Sequence, residues 1–122
     1  MILADTSVWV EHFRSGNQTL RQRLEGGRIA IHPLVVAELA LGSLKHRKTT
    51  LAWLDLLPRL KLALLEEVRA LIEARRLYGL GIGLVDAHLI ASVLLSANAQ
   101  LWTKDKPLRK VAESLGVDAE LA

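Results

Sequence analysis

Cysteine is absent from the 122 residues, which excludes disulfide staples and thiolate metal sites and fits a reducing, cytoplasmic setting. Aromatic residues make up only 4% of the chain, so the core has to be built chiefly from Leu, Val, Ile and Ala. The first residues lack the basic start of a secretory leader, and Asp5 interrupts their apolar stretch. One long apolar segment, Leu77 to Trp102, carries only Asp86 and His88 as groups that ionise near neutral pH. Gly79, Gly81 and Gly83 break its first third, and an acid in mid-membrane is costly, so no membrane span is expected. Charge of one sign is also scarce: the formal net charge of +3 permits an acidic partner without requiring one.

What is present is a chain 51% hydrophobic and long enough for a single domain over residues 1–122. Met1 to Ala4 reads as a short buried strand, followed by helices over Val8–Arg14 and Thr19–Leu24. Gly26 and Gly27 stop the second helix, and Arg28–Ile31 alternates as a strand. His32-Pro33 opens a helix reaching Leu41; a further helix spans Arg47–Leu57 and ends at Pro58. Lys61–Leu64 is a weakly marked strand, and Glu66–Tyr78 an amphipathic helix. Helix Val85–Ser96, strand Gln100–Thr103 and helix Pro107–Leu115 follow, with a short fifth strand expected at Val117. Alternating strands and helices imply an α/β fold: a parallel sheet of four or five strands flanked by helices in three layers. Ligands of such sheets bind beyond the carboxyl ends of the strands, where Asp5 and Asp105 fall.

Three acids sit in apolar surroundings. Asp5 lies in Ile2-Leu3-Ala4-Asp5-Thr6-Ser7-Val8, Glu38 in Val35-Val36-Ala37-Glu38-Leu39-Ala40, and Asp86 in Leu84-Val85-Asp86-Ala87-His88-Leu89. Glu38 has Val35, Leu41, Leu34 and Gly42 at its helical neighbour positions, and Asp86 has Gly83, Leu89, Ile82 and Ile90, so neither has a local base. A half-buried carboxylate without a partner protonates, pairs at a distance or binds a cation. Three in so small a chain point to a shared cation, and an oxygen-only donor set suits Mg²⁺ or Mn²⁺. Such an ion at the end of a parallel sheet is suited to phosphoester hydrolysis. Each acid also has a structural alternative: Asp5 as a turn starter, Glu38 paired with a distant base, Asp86 favoured by a helix dipole, and Asp105 as an N-cap before Lys106-Pro107.

In this order the motifs resemble a known family. Leu3-Ala4-Asp5-Thr6-Ser7-Val8-Trp9, Val36-Ala37-Glu38-Leu39, Val85-Asp86-Ala87-His88-Leu89-Ile90-Ala91 and Leu101-Trp102-Thr103-Lys104-Asp105 together are similar to PIN-domain ribonucleases of the VapC type, the toxin half of toxin–antitoxin pairs. The resemblance covers essentially the whole chain. It implies a PIN-like fold and Mg²⁺- or Mn²⁺-dependent endoribonuclease activity, by water attack and without a covalent intermediate. It further implies an antitoxin partner and a homodimer. By position it makes Asp5, Glu38 and Asp86 metal ligands and Asp105 an outer or second-metal ligand, with Thr6, Ser7 and Thr103 in supporting hydrogen bonds.

Lys45-His46-Arg47-Lys48 is the densest basic run; Lys45, Arg47 and Lys48 are candidate RNA contacts, or else a solvated turn. His88, two residues from Asp86, falls on another helix face and reads as a surface or interface histidine. Trp53 with Leu51, Leu54 and Leu57 offers either an apolar face for an antitoxin helix or ordinary core. Two rival functions share this pattern. A receiver-like signalling domain needs an acceptor Asp after its third strand, and Lys61–Leu64 is followed by Leu65 and Glu66. A catalytically silent binding module has no use for the costly carboxylates.

Overall fold

The computed structural model describes residues 1–122. Its elements, in order, are β1 (Ile2–Ala4), α1 (Thr6–Ser15), α2 (Gln18–Glu25), β2 (Ile29–Ala30), α3 (Pro33–Ala40), α4 (Arg47–Asp55), α5 (Leu65–Arg75), α6 (Leu84–Leu95), β3 (Gln100–Trp102) and α7 (Lys106–Ser114). The sheet is parallel with order β2-β1-β3. Ile2 pairs with Ile29 on one side and Gln100 on the other, and Ala4 pairs with Trp102. Because β1 is central, its Leu3 and Ala4 are fully buried, and an uninterrupted apolar strand is what that position demands.

The sheet has three strands, not the four or five expected from the sequence. The segment after Pro58 contributes a single parallel bridge, Ile31 to Arg59, closed by the Ile31 amide on the Pro58 carbonyl at 2.8 Å. Lys61–Leu64 then leaves the sheet: the Lys61 amide donates to the Ser96 hydroxyl, and Leu64 becomes the N-cap residue of α5. At the other edge Leu101 bridges Asp118, and the chain turns away where Glu120 donates its amide to Asp118 Oδ2. Leu60, Leu62 and Leu64 alternate as in a strand, but Leu62 and Leu64 are exposed, so the segment has no buried face to hold it on the sheet.

Most of the core is aliphatic, as composition requires, but Trp9 and Trp102 are its largest fully buried side chains. Trp102 ends β3 directly before Thr103, and Trp9 lies in α1 four residues after Asp5. A small satellite of Val68, Ala87 and Ala91 packs α5 on α6. No helix is long and apolar enough to cross a membrane.

Leu3→Ala removes the centre of the core and is expected to destabilise the protein by about 2–5 kcal/mol. Leu62→Ala, at a position 49% exposed, is expected to change stability by less than about 0.5 kcal/mol. Urea unfolding of both variants checks the pair.

Candidate active site

Asp5 leaves the end of β1 and is the N-cap of α1. Its amide donates to the Trp102 carbonyl of β3 at 2.9 Å, which extends the ladder one residue and pins the turn. The side chain is only 5% exposed. Oδ1 accepts from the Ser7 amide at 3.0 Å, the Val8 amide at 3.4 Å and the Ser7 hydroxyl. Oδ2 accepts from the Thr103 hydroxyl at 2.7 Å and retains a free lone pair. The two hydroxyls are themselves fixed: Ser7 Oγ accepts from the Lys104 amide at 2.9 Å, and Thr103 Oγ1 from the Asp105 amide at 3.0 Å. Ser7 and Thr103 thus tie the Asp5 carboxylate to two separate segments of the chain.

The other three acids come from helix positions that aim at the same end of the sheet. Glu38 is exposed on α3 and accepts a hydrogen bond from the Thr6 hydroxyl. Asp86 stands in the first turn of α6, where its Oδ2 accepts from the Gly83 amide at 3.1 Å. Asp105 is the N-cap of α7, its Oδ2 accepting from the Leu108 amide at 3.1 Å. The capping reading of Asp105 therefore holds, and its Oδ1 remains open toward the site.

Burial pushes the Asp5 carboxyl above the ordinary aspartate range; bonds from Ser7, Thr103 and Val8 oppose this, and the nearby Asp86 charge adds to it. Burial also raises Asp86, against the Gly83 amide, with Asp105 and Glu38 adding like-charge repulsion. Asp86 is the acid that senses the other three. None of the four is in an ion pair; the chain's ion pairs are Asp55–Arg59 and Glu11–Lys104. Oxygen donors, mutual repulsion and missing bases are the chemistry a hard divalent cation relieves. In this arrangement no group of three or more His, Asp or Glu side chains is close enough to hold a metal ion. Direct chelation is thereby restricted to one or two carboxylates, with water in the remaining positions, a common mode for Mg²⁺.

Next to the acids a groove of about 490 Å³ runs between α1, α3 and the loop before α4. Glu38 and Lys45 both line it, whereas Arg47 and Lys48 lie outside it in the exposed first turn of α4. Of the three candidate RNA contacts, only Lys45 is thus brought to the site. His46 between them takes φ 49°, the left-handed region that non-glycine residues enter at a cost. Arg14 and Phe13 of α1 also line the groove, and sequence reasoning missed Phe13, whose place at an exposed helix end was the available signal.

Two further residues were read incompletely. His32, buried at the end of β2, caps α3 through Nδ1, which accepts from the Leu34 amide at 3.0 Å. Burial, then the neighbouring His88 and Arg59, push it down to about 4, so it is neutral at physiological pH. His88 meets it edge-on at 6.5 Å between ring centroids, half-buried rather than on the open surface. Trp53 is 42% exposed and stands edge-on to Trp9, while Leu54 beneath it is wholly core.

Because folded Asp86 holds its proton more tightly than unfolded Asp86, stability falls as pH rises through and above the ordinary aspartate range. Asp86→Asn keeps an acceptor for the Gly83 amide and removes that loss. In EDTA the variant is expected to melt above the parent at pH 8, with the gap closing below about pH 4. Thermal unfolding across pH reads it; equal melting at pH 8 is the contrary result.

A PIN-domain model matches residues 2–114 of the chain. Ribonuclease VapC32 of Mycobacterium tuberculosis, from strain CDC 1551 / Oshkosh and from strain ATCC 25618 / H37Rv, is 45% identical over 117 residues, spanning 96% of this chain and 94% of the relative. On this match and this fold, the chain belongs to the PIN-domain family.

Proposed function

We propose that this protein is a Mg²⁺- or Mn²⁺-dependent endoribonuclease, the toxin of a VapBC-type toxin–antitoxin pair, that hydrolyses RNA phosphodiesters by direct attack of water. The observation that carries the reading is Asp5: a carboxylate 5% exposed, held by four hydrogen-bond donors rather than by a base, and close to a second raised acid, Asp86. Similarity to a ribonuclease over nearly the full chain supports RNA as the substrate. The reading includes a cognate antitoxin, a homodimer and a cytoplasmic location; the cysteine-free sequence supports the last.

Of Asp5, Glu38 and Asp86, one or two would hold the cation directly and the rest through its bound water, with Asp105 as outer or second ligand. When bound, a divalent cation neutralises charge developing on the phosphate and lowers the pKa of a nearby water. The chain's own residues supply orientation. Ser7 and Thr103 lock both Asp5 oxygens, Thr6 orients Glu38, and the Gly83 amide orients Asp86. Exposure is graded across the four acids: Asp5 is buried, Asp86 half-buried, Glu38 and Asp105 exposed. A phosphodiester therefore approaches from the Glu38–Asp105 side, where Lys45 and Arg14 favour a polyanion. Asp105 near its helix start is best suited to accept a proton or order water at the open edge.

The test is cleavage of single-stranded RNA with and without Mg²⁺ or Mn²⁺. The parent is expected to cut only with the metal, and Asp5→Asn, Glu38→Gln and Asp86→Asn to lose at least about 100-fold in kcat. Thr103→Val, which strips one support from Asp5, is expected to lose about 10- to 100-fold. Undiminished cleavage by Asp5→Asn or Asp86→Asn overturns the mechanism.

A further inference from the structure

The groove beside Glu38 has more structure than a path for a phosphate backbone requires. One wall is Phe13, 38% exposed, whose ring stacks at 29° on the buried Trp9 with centroids 5.8 Å apart, so Phe13 is held against the core. Leu39 and Leu44 form the apolar floor. Ser43, Thr50, Arg14 and Lys45 complete the lining; Thr50 Oγ1 donates to the Lys45 carbonyl at 3.1 Å and keeps its acceptor lone pairs. Neither cation is in an ion pair. Its volume, about 490 Å³, lies within the range of small-ligand pockets.

We propose that this groove is a nucleobase subsite: it takes one unpaired base of the RNA flanking the scissile phosphate, stacked on Phe13, with Arg14 and Lys45 on the adjoining phosphates. The inference rests on the ribonuclease reading and deepens it by naming a specificity element. Single-stranded RNA is recognised by stacking splayed bases on aromatic side chains and by hydrogen bonds to base edges, and the groove offers an aromatic wall and two hydroxyls for these. Glu38 lines the groove and belongs to the acid cluster, so a base seated there places its phosphate at the acids. An amphipathic helix from a protein is the rival occupant. The two unpaired cations in the lining and the single short aromatic wall favour a nucleotide.

The experiment is a binding titration in an Asp86→Asn background, with short single-stranded RNAs carrying 2-aminopurine at successive positions. One position is expected to be quenched, and an abasic nucleotide there to weaken binding about tenfold or more. Phe13→Ala is expected to lose both the quench and the penalty for the abasic site, and Phe13→Tyr to keep both. Ser43→Trp, in an exposed loop, fills the groove without touching the core and is expected to weaken RNA binding similarly. The proposal is overturned if no position is quenched, or if the abasic penalty is the same in Phe13→Ala. It is equally overturned if both groove variants bind RNA as the parent does and lose affinity only for a helical protein partner. Because the titration reads binding, a parent that cuts no RNA sinks the ribonuclease reading alone.

Discussion

A carboxylate placed at the end of a fully buried central strand has to be stabilised by something. Asp5 follows Leu3 and Ala4, both without solvent exposure, and is itself buried at the start of α1. No base reaches it. Hydroxyls and amides from two segments nearly a hundred residues apart, Ser7-Val8 and Thr103, bind it instead. That clasp ties β1 to β3 at their carboxyl ends and sets the geometry of the loop that carries Asp105. The remaining acids are placed with respect to it.

The clasp offsets only part of the cost of burial, and the acids around it add to that cost. Asp86 senses Asp105 and Glu38 as well as Asp5, so the cluster is a set of like charges kept together by the fold against their repulsion. Structures maintain such strain at functional sites. Family membership agrees with this reading and sets aside a receiver-like domain, whose acceptor carboxylate has no counterpart in the segment after Pro58.

Asp5, Glu38 and Asp86 stood out in the sequence because their signal is local: an acid among apolar residues with no base at i±3 or i±4. Thr6, Ser7 and Thr103 were expected only through the family resemblance, because the hydrogen bonds they make to Glu38 and Asp5 join separate stretches of chain. The number of strands was not legible, since Arg59 and Asp118 reach the sheet through single bridges whose existence depends on long-range packing rather than on residue alternation. Lys45 separates from Arg47 and Lys48 only because His46 adopts a left-handed turn, which composition does not announce. Phe13 was invisible for a related reason: a groove between α1 and α3 joins residues from separate stretches of chain. His32 hid behind its Pro33, where it reads as a helix opener and proves to be a buried cap.

The central claim is that burial and mutual repulsion hold Asp5 and Asp86 protonated above the usual range until a cation relieves them. Calorimetric titration with Mn²⁺ at mildly acidic pH, in buffers of differing ionisation enthalpy, counts the protons released on binding. The account predicts saturable binding with net proton release that declines toward zero as pH rises to 8. Binding with no proton release at any pH, or no binding at all, would contradict it.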